Sequence, residues 1–184
     1  MVYLPTGREL IDPFKVLEEA GIRGDMTVAD FGCGTLGHYV FPAAQLVGIH
    51  GKVYAIDILK SVLEGVVSRK KMENANNVET IWGDLERPNG VALPDNSVDI
   101  GLLINNLFLS KTKEELVKEC VRIVKSGGIL VVIDWKPAGY SFGPPPQSRV
   151  TAVEARQLVS SFGLYLLREF EPGKYHYGFI FRKP

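Results

Sequence analysis

The chain reads as an α/β fold built on a mostly parallel sheet, and three observations carry that reading. Five short apolar segments, "TVADF" (27–31), "KVYAID" (52–57), "VETIW" (78–82), "VDIGLLI" (98–104) and "ILVVIDW" (129–135), are separated by stretches of helical period. Their apolar residues run on without strict alternation, as strands covered by helices on both faces require. The alternation of strand and helix breaks near the C-terminus, where "LYLLREF" (164–170) and "HYGFIFR" (176–182) follow one another across a turn at "EPGK". With no helix between them, these two are expected to pair antiparallel. At 184 residues the whole chain, 1–184, is expected to form one domain with room for a sheet buried on both sides.

Residues 1–26 form an N-terminal arm and a helix. In "DPFKVLEEAG", Asp12 is the expected N-cap, Pro13 occupies the first helical position and Gly21 is the stop. Later helices begin at capping-box patterns: Ser61 to Glu64, Thr112 to Glu115 and Thr151 to Glu154. The second of these aligns Leu116, Val117, Cys120, Val121 and Val124 on one stripe for the sheet, and "SGG" at 126–128 is its expected end. Residues 136–150, with the stiff "GPPPQ" at 143–147, read as a long loop on the substrate side.

Composition excludes several classes. Lys plus Arg and Asp plus Glu both total 21, so no broad field gathers nucleic acid or an anionic membrane. The opening "MVYLPTGREL" has no apolar signal region, and no run reaches the roughly 18 apolar residues of a membrane span. A cytoplasmic protein with a small-molecule partner is expected. Cys33 and Cys120 lie outside any C-x-x-C pair, which argues against zinc and disulfides, and no metal site is expected. Cys120 is expected in the core and Cys33 as a small filler between loop glycines.

After the first strand come Gly32, Gly34 and Gly37 in the spacing G-x-G-x-x-G, which permits a tight turn and close backbone approach to several adenosine-containing ligands. Asp57, ending the second strand, can accept bonds from both ribose hydroxyls, which argues against a 2′-phosphate but suits NAD and S-adenosylmethionine equally. Asp84 after the third strand can accept a bond from the adenine amino group, with Leu85 beside the ring. Asp30 adds a carboxylate at the crevice floor, poorly placed beneath a pyrophosphate and well placed beneath a sulfonium or an α-ammonium. Together the three favour a cationic adenosine ligand.

On "VADFGCGTLG", "VYAIDI", "GDL" and "ECVRIVKSGGILVVIDW", the chain resembles the class I S-adenosylmethionine-dependent methyltransferases, of the small stand-alone type 11 kind, over nearly its whole length. The resemblance implies a Rossmann-like doubly wound seven-stranded sheet of order 3-2-1-4-5-7-6 with strand 7 antiparallel. It implies S-adenosyl-L-methionine as cofactor and S-adenosyl-L-homocysteine as product. It also places Asp30, Gly32 and Gly34 against the methionine part, Asp57 and its neighbour Ile58 at the ribose, Asp84 and Leu85 at adenine, and Asn105 on the inner wall. Leu36 makes the loop one residue longer than the family's G-x-G-x-G, which bears on the role of Gly37. "NNLF" replaces the N-P-P-aromatic sequence of enzymes that methylate nucleic-acid amino groups, so a small-molecule acceptor is expected. An NAD-dependent oxidoreductase is the alternative reading, weakened by the lack of an S-x-x-x-Y-x-x-x-K set; a non-catalytic S-adenosylmethionine-binding protein is another.

Methyl transfer removes charge from sulfur, so Asp30 is expected to serve affinity more than rate. Only an acceptor that must lose a proton needs a base, and the candidates are Asp134, His38 and His176. The acceptor pocket is expected from Tyr3 to Arg8 and from Trp135 to Arg149, including Tyr140, because loops at the carboxyl edge carry function in such sheets. His50 reads as turn surface, Arg69 to Lys71 as a solvated helix face, and Tyr175, Tyr177 and Phe179 as sheet packing.

Overall fold

A computed structural model describes residues 10–137 and 142–184. The expected acceptor residues Tyr3 to Arg8 and Tyr140 lie outside them. The elements run α1 (Pro13–Glu19), β1 (Thr27–Phe31), α2 (Val40–Val47), β2 (Lys52–Asp57), α3 (Lys60–Glu73), β3 (Val78–Trp82), β4 (Val98–Ile104), α4 (Lys113–Ile123), β5 (Val124–Trp135), a 3-10 turn (Pro146–Ser148), α5 (Ala152–Ser161), β6 (Tyr165–Gly173) and β7 (His176–Arg182). They build one seven-stranded sheet of order β3-β2-β1-β4-β5-β7-β6. The first five strands are parallel, and β7 is antiparallel to both neighbours, as expected.

Alternation along the buried strands decides which face each side chain serves. Val28, Ile100, Leu102 and Val131 meet Leu17, Phe41 and Val66 of α1, α2 and α3, while Phe31, Leu103 and Leu130 meet Val117, Ile123 and Val159 of α4 and α5. Helices on both faces explain why apolar residues of these strands point to either side instead of alternating with polar ones. Phe31 and Leu103 are wholly inaccessible, and burying each stabilises the fold by about 1.5–3 kcal/mol. Cys120 is in this core, Tyr177 and Phe179 pack in it, and His50 is exposed. Arg69 and Lys70 are more than a solvated face: Arg69 lies 4.2 Å over the Phe41 ring and Lys70 donates to the Val78 carbonyl. Among the described residues no helix is long and apolar enough to cross a membrane.

Local end signals hold where nothing competes for them. Asp12 accepts from Phe14 N at 3.0 Å and Pro13 opens α1 as expected. The reciprocal capping box forms at α5, with Glu154 N donating to Thr151 Oγ1 at 3.2 Å and Thr151 N to Glu154 Oε2 at 2.8 Å. The other two boxes do not form. The first turn of α3 already contains Ser61, because Asp57 takes Leu59 N at 2.9 Å and starts the helix early. Thr112 stands at the start of α4, but its hydroxyl donates to Glu86 at 2.8 Å instead of capping. The "SGG" segment is likewise no helix stop. It lies within β5, where Gly127 N donates to Lys183 O at 2.8 Å and Lys183 N to Gly128 O at 3.0 Å. Sheet pairing outcompetes the local cap, so Val124 belongs to the strand and α4 ends at Ile123.

Candidate active site

At the carboxyl ends of β1 to β4 lies a cavity of about 650 Å3. Its floor is the glycine loop. Gly32 turns the chain at φ 74°, and the Gly32 and Cys33 amides donate to Ile56 O at 2.9 and 3.0 Å, folding the loop over β2. A β-carbon at Gly32 would stand 2.3 Å from Asn106 Oδ1, so any other residue there would be strained and would have to displace the Asn106 side chain. Gly37 also has a positive φ, 53°, and its Cα meets α2 so closely that a β-carbon would come within 2.9 Å of the Phe41 ring. The third glycine is thus required by loop-to-helix packing, while the additional Leu36 stands out into solvent.

Asp57 closes the loop from below, taking Gly34 N on Oδ2 at 3.2 Å and Leu59 N on Oδ1 at 2.9 Å. Asp84 accepts from Glu86 N at 3.0 Å and pairs with Arg87 Nε at 3.0 Å, with Leu85 partly buried next to it. Ile58 is half exposed at the rim. Asp30 differs from both carboxylates: it is 2 % exposed, and its Oδ2 has no hydrogen-bond partner among the described residues. Burial first, and the charge of Asp57 second, push its carboxyl up to about 7. Asn105, at φ 57°, contributes a second buried oxygen without a donor among the described residues, its Oδ1. Asp30, Gly32, Gly34, Asp57, Ile58, Asp84, Leu85 and Asn105 therefore all line the one cavity.

The three base candidates separate. His38 lines the cavity, with Nε2 3.3 Å from Ile11 O and its ring edge-on to Tyr39. Asp134 is fully buried outside the lining, accepting from Trp135 N at 2.7 Å and Phe108 N at 3.3 Å; burial pushes its carboxyl up to about 6. His176 is also fully buried outside it, 4.2 Å from the Trp135 ring, with neither nitrogen partnered among the described residues. Burial first, then the charges of Lys136 and Arg149, push that imidazole down to about 4. Cys33 lines the cavity as a buried thiol pushed up by burial and by Asp30 and Asp57.

Asn106 is absent from the sequence expectations. Its Nδ2 donates to Phe31 O at 2.9 Å and Ile104 O at 2.8 Å, tying the end of β1 to the end of β4 beneath the loop. The second Asn of "NNLF" was the available signal, a polar side chain just past an apolar strand. Leu10, Ile11, Tyr39 and Leu109 complete the apolar walls. The described lining has four carboxylates, Asp30, Asp57, Asp84 and Glu86, and neither Lys nor Arg. Such a wall suits a cation, and two buried acceptor oxygens without donors fit a ligand that brings N–H groups. Among the described residues no three His, Cys, Asp or Glu side chains group closely enough to hold a metal ion.

Comparison with known proteins agrees with this geometry. Residues 22–158 match the family described as methyltransferase domain. The chain is 30% identical over 122 residues to demethylmenaquinone methyltransferase of Lactococcus lactis, covering 65% of this chain and 46% of that protein. It is 30% identical over 131 residues to the ubiquinone/menaquinone biosynthesis C-methyltransferase UbiE of Azotobacter vinelandii, covering 69% and 49%. The chain thus spans about half the length of these curated relatives. Among solved structures it is similar to a SAM-dependent methyltransferase from Aquifex aeolicus, at 31% identity and TM-score 0.88, over 97% of this chain and 93% of that one. The [4+2]-cyclase SpnF, at 16% identity and TM-score 0.79 over 94% and 79% of the two chains, shares the fold alone.

Proposed function

The chain belongs to the methyltransferase-domain family, the class I S-adenosylmethionine-dependent methyltransferases, and on that premise we propose that it transfers the methyl group of S-adenosylmethionine to a small, apolar acceptor that carries no negative charge. The observation that carries the proposal is the pair of buried oxygens without a donor among the described residues, Asp30 Oδ2 and Asn105 Oδ1, on a cavity already walled by Asp57 and Asp84.

When bound, S-adenosylmethionine supplies an electrophilic methyl group on a sulfonium. The chain's own part is to bind, orient and exclude water. Gly32 and Gly34 let the backbone approach, and Asp30 and Asn105 receive the cationic amino-acid end. Asp57 takes the ribose hydroxyls, its bonds to Gly34 N and Leu59 N holding the carboxylate in place. Asp84 takes the adenine amino group, with Leu85 and Ile58 covering the ring. Charge at sulfur falls along the reaction, so Asp30 favours the bound ground state; alignment of acceptor, methyl and sulfur supplies the rate, an effect worth up to roughly 7–11 kcal/mol.

His38 is the base candidate that reaches the cavity. With Nε2 donating to Ile11 O, Nδ1 is its basic nitrogen, available to an acceptor that must lose a proton. Leu10, Ile11 and Leu109 make the remaining wall apolar, and the described lining offers no cation to an anionic acceptor. The quinone-pathway names of the relatives fit an apolar aromatic acceptor. Native mass spectrometry of the purified protein tests the cofactor, and transfer from methyl-labelled S-adenosylmethionine to quinols and phenols tests the acceptor. Binding of NAD at micromolar affinity with no response to S-adenosylhomocysteine would refute the reading.

A further inference from the structure

Asp84 sits on a loop, two residues beyond the end of β3, so the sheet alone does not fix its carboxylate. The carboxylate is held locally by Glu86 N and Arg87 Nε, and the backbone of that loop is in turn held by the chain that returns beside it. Gly83 bridges Val91 antiparallel, and Asp84 N donates to Gly90 O at 3.1 Å. The approach is so close that a β-carbon on Gly90 would lie 2.0 Å from the Asp84 carbonyl oxygen. Residues 89–93 are held in turn by α4. Glu119, 3 % exposed, accepts from Asn89 N and Val91 N, each at 3.1 Å. Arg122 grips both oxygens of that carboxylate at 2.9 and 2.7 Å and donates to Leu93 O at 2.8 Å and Val91 O at 3.1 Å.

A buried ion pair is a poor means of stabilising a helix face, because desolvation offsets most of the attraction. Its geometry here is specific instead: every remaining bond of the pair except that from Arg122 to Asp95 goes to the backbone of residues 89–93. Neither residue lines the cavity. We propose that Glu119 and Arg122 are positioning residues for adenine recognition, setting through residues 89–93 where the Asp84 carboxylate stands. The proposal rests on the S-adenosylmethionine reading given above. A rigidly placed carboxylate accepts from the 6-amino group of adenine and repels the 6-oxygen of hypoxanthine, so the pair governs a selectivity, not merely a fold.

The test compares calorimetric affinities for S-adenosylhomocysteine and S-inosylhomocysteine, which differ at that 6-position, in the wild-type protein, Glu119→Gln and Arg122→Lys. Wild type should prefer the adenosine compound. In Glu119→Gln the preference should fall about tenfold, chiefly through weaker binding of S-adenosylhomocysteine, as expected for one misplaced charge-assisted bond. Arg122→Lys keeps the charge but loses the fork, and its preference should fall less. A lowered melting temperature accompanies either role and leaves the ratio of the two affinities unmoved. A folded Glu119→Gln or Arg122→Lys protein with the wild-type ratio overturns the proposal, and the second variant decides it should the first not fold. Wild-type protein that binds neither compound refutes the cofactor reading itself, an outcome seen before any variant is made.

Discussion

Replacing Asp30 with Asn should make the free protein more stable and its cofactor affinity worse. The carboxyl is raised from 3.8 to about 7, with burial the larger cause and Asp57 the smaller. Because the folded value lies above the unfolded one, the native state keeps a proton that the unfolded chain releases between those two pH values. Stability contributed by this group is therefore full below the unfolded value and is lost as pH rises to about 7. At about 1.4 kcal/mol per pH unit the loss approaches 4 kcal/mol as an upper bound. The amide avoids it, but its NH2 group meets surroundings that offer no donor to Oδ2 and must find an acceptor, a cost of about 1–3 kcal/mol. The net gain is about 2 kcal/mol at pH 8, or roughly 4–8 °C in melting temperature for a domain of this size. Thermal unfolding of both proteins from pH 5 to 8.5, with and without S-adenosylhomocysteine, reads both effects. The difference between them should vanish toward pH 5, and the ligand-induced rise should shrink in Asp30→Asn. In the wild type, cofactor affinity should weaken as pH falls below about 7, because the cation needs the ionised carboxylate. An Asp30→Asn protein that melts below wild type at pH 8, with the two pH profiles parallel, would refute the argument that burial strains this carboxylate.

Asp57→Ala should weaken S-adenosylhomocysteine binding roughly ten- to a hundredfold by calorimetry. Because Asp57 also accepts from Gly34 N and Leu59 N, its melting temperature should fall as well, whereas a pure ligand contact would leave it unchanged. Asn106→Ala frees the carbonyls of Phe31 and Ile104 and should cost about 1–3 kcal/mol in urea unfolding, with a raised KM for S-adenosylmethionine as the glycine loop loosens. His38→Gln should lower kcat with little change in the KM for S-adenosylmethionine if the acceptor must be deprotonated; equal rates for the two proteins would remove His38 as a base. Tyr140→Ala, in the segment after β5, should impair use of the acceptor and leave cofactor binding nearly intact, which kinetics with each substrate varied in turn would show.

Periodicity along the chain was sufficient to place the strands, because a strand covered by helices on both faces is apolar at most positions; the expected alternation with helices fails between β3 and β4, which no helix separates. The bounds of β1 to β4 follow the apolar runs residue for residue. The glycine loop and the carboxylates Asp30, Asp57 and Asp84 were legible as a set: the glycine spacing permits a tight turn, and three carboxylates meet at the ends of neighbouring strands, where any one of them alone would be an ordinary polar turn residue. Local end signals were less dependable. Ser61, Thr112 and the "SGG" segment each carried one, and each lost it to a partner distant in sequence or already committed: Asp57 at α3, Glu86 at α4, Lys183 at β5. Glu119 shows the same limit from the other side. In sequence it is one more acid on the polar side of an amphipathic helix, and only the fold brings Asn89 and Val91 amides against it and turns it inward. Likewise nothing in "NNLF" says that Asn106 bridges β1 and β4 while Asn105 keeps an oxygen for the cavity. A side chain's hydrogen-bonding capacity is written in its chemistry, but its partner is chosen by whichever backbone group the tertiary packing brings within about 3 Å and shields from water.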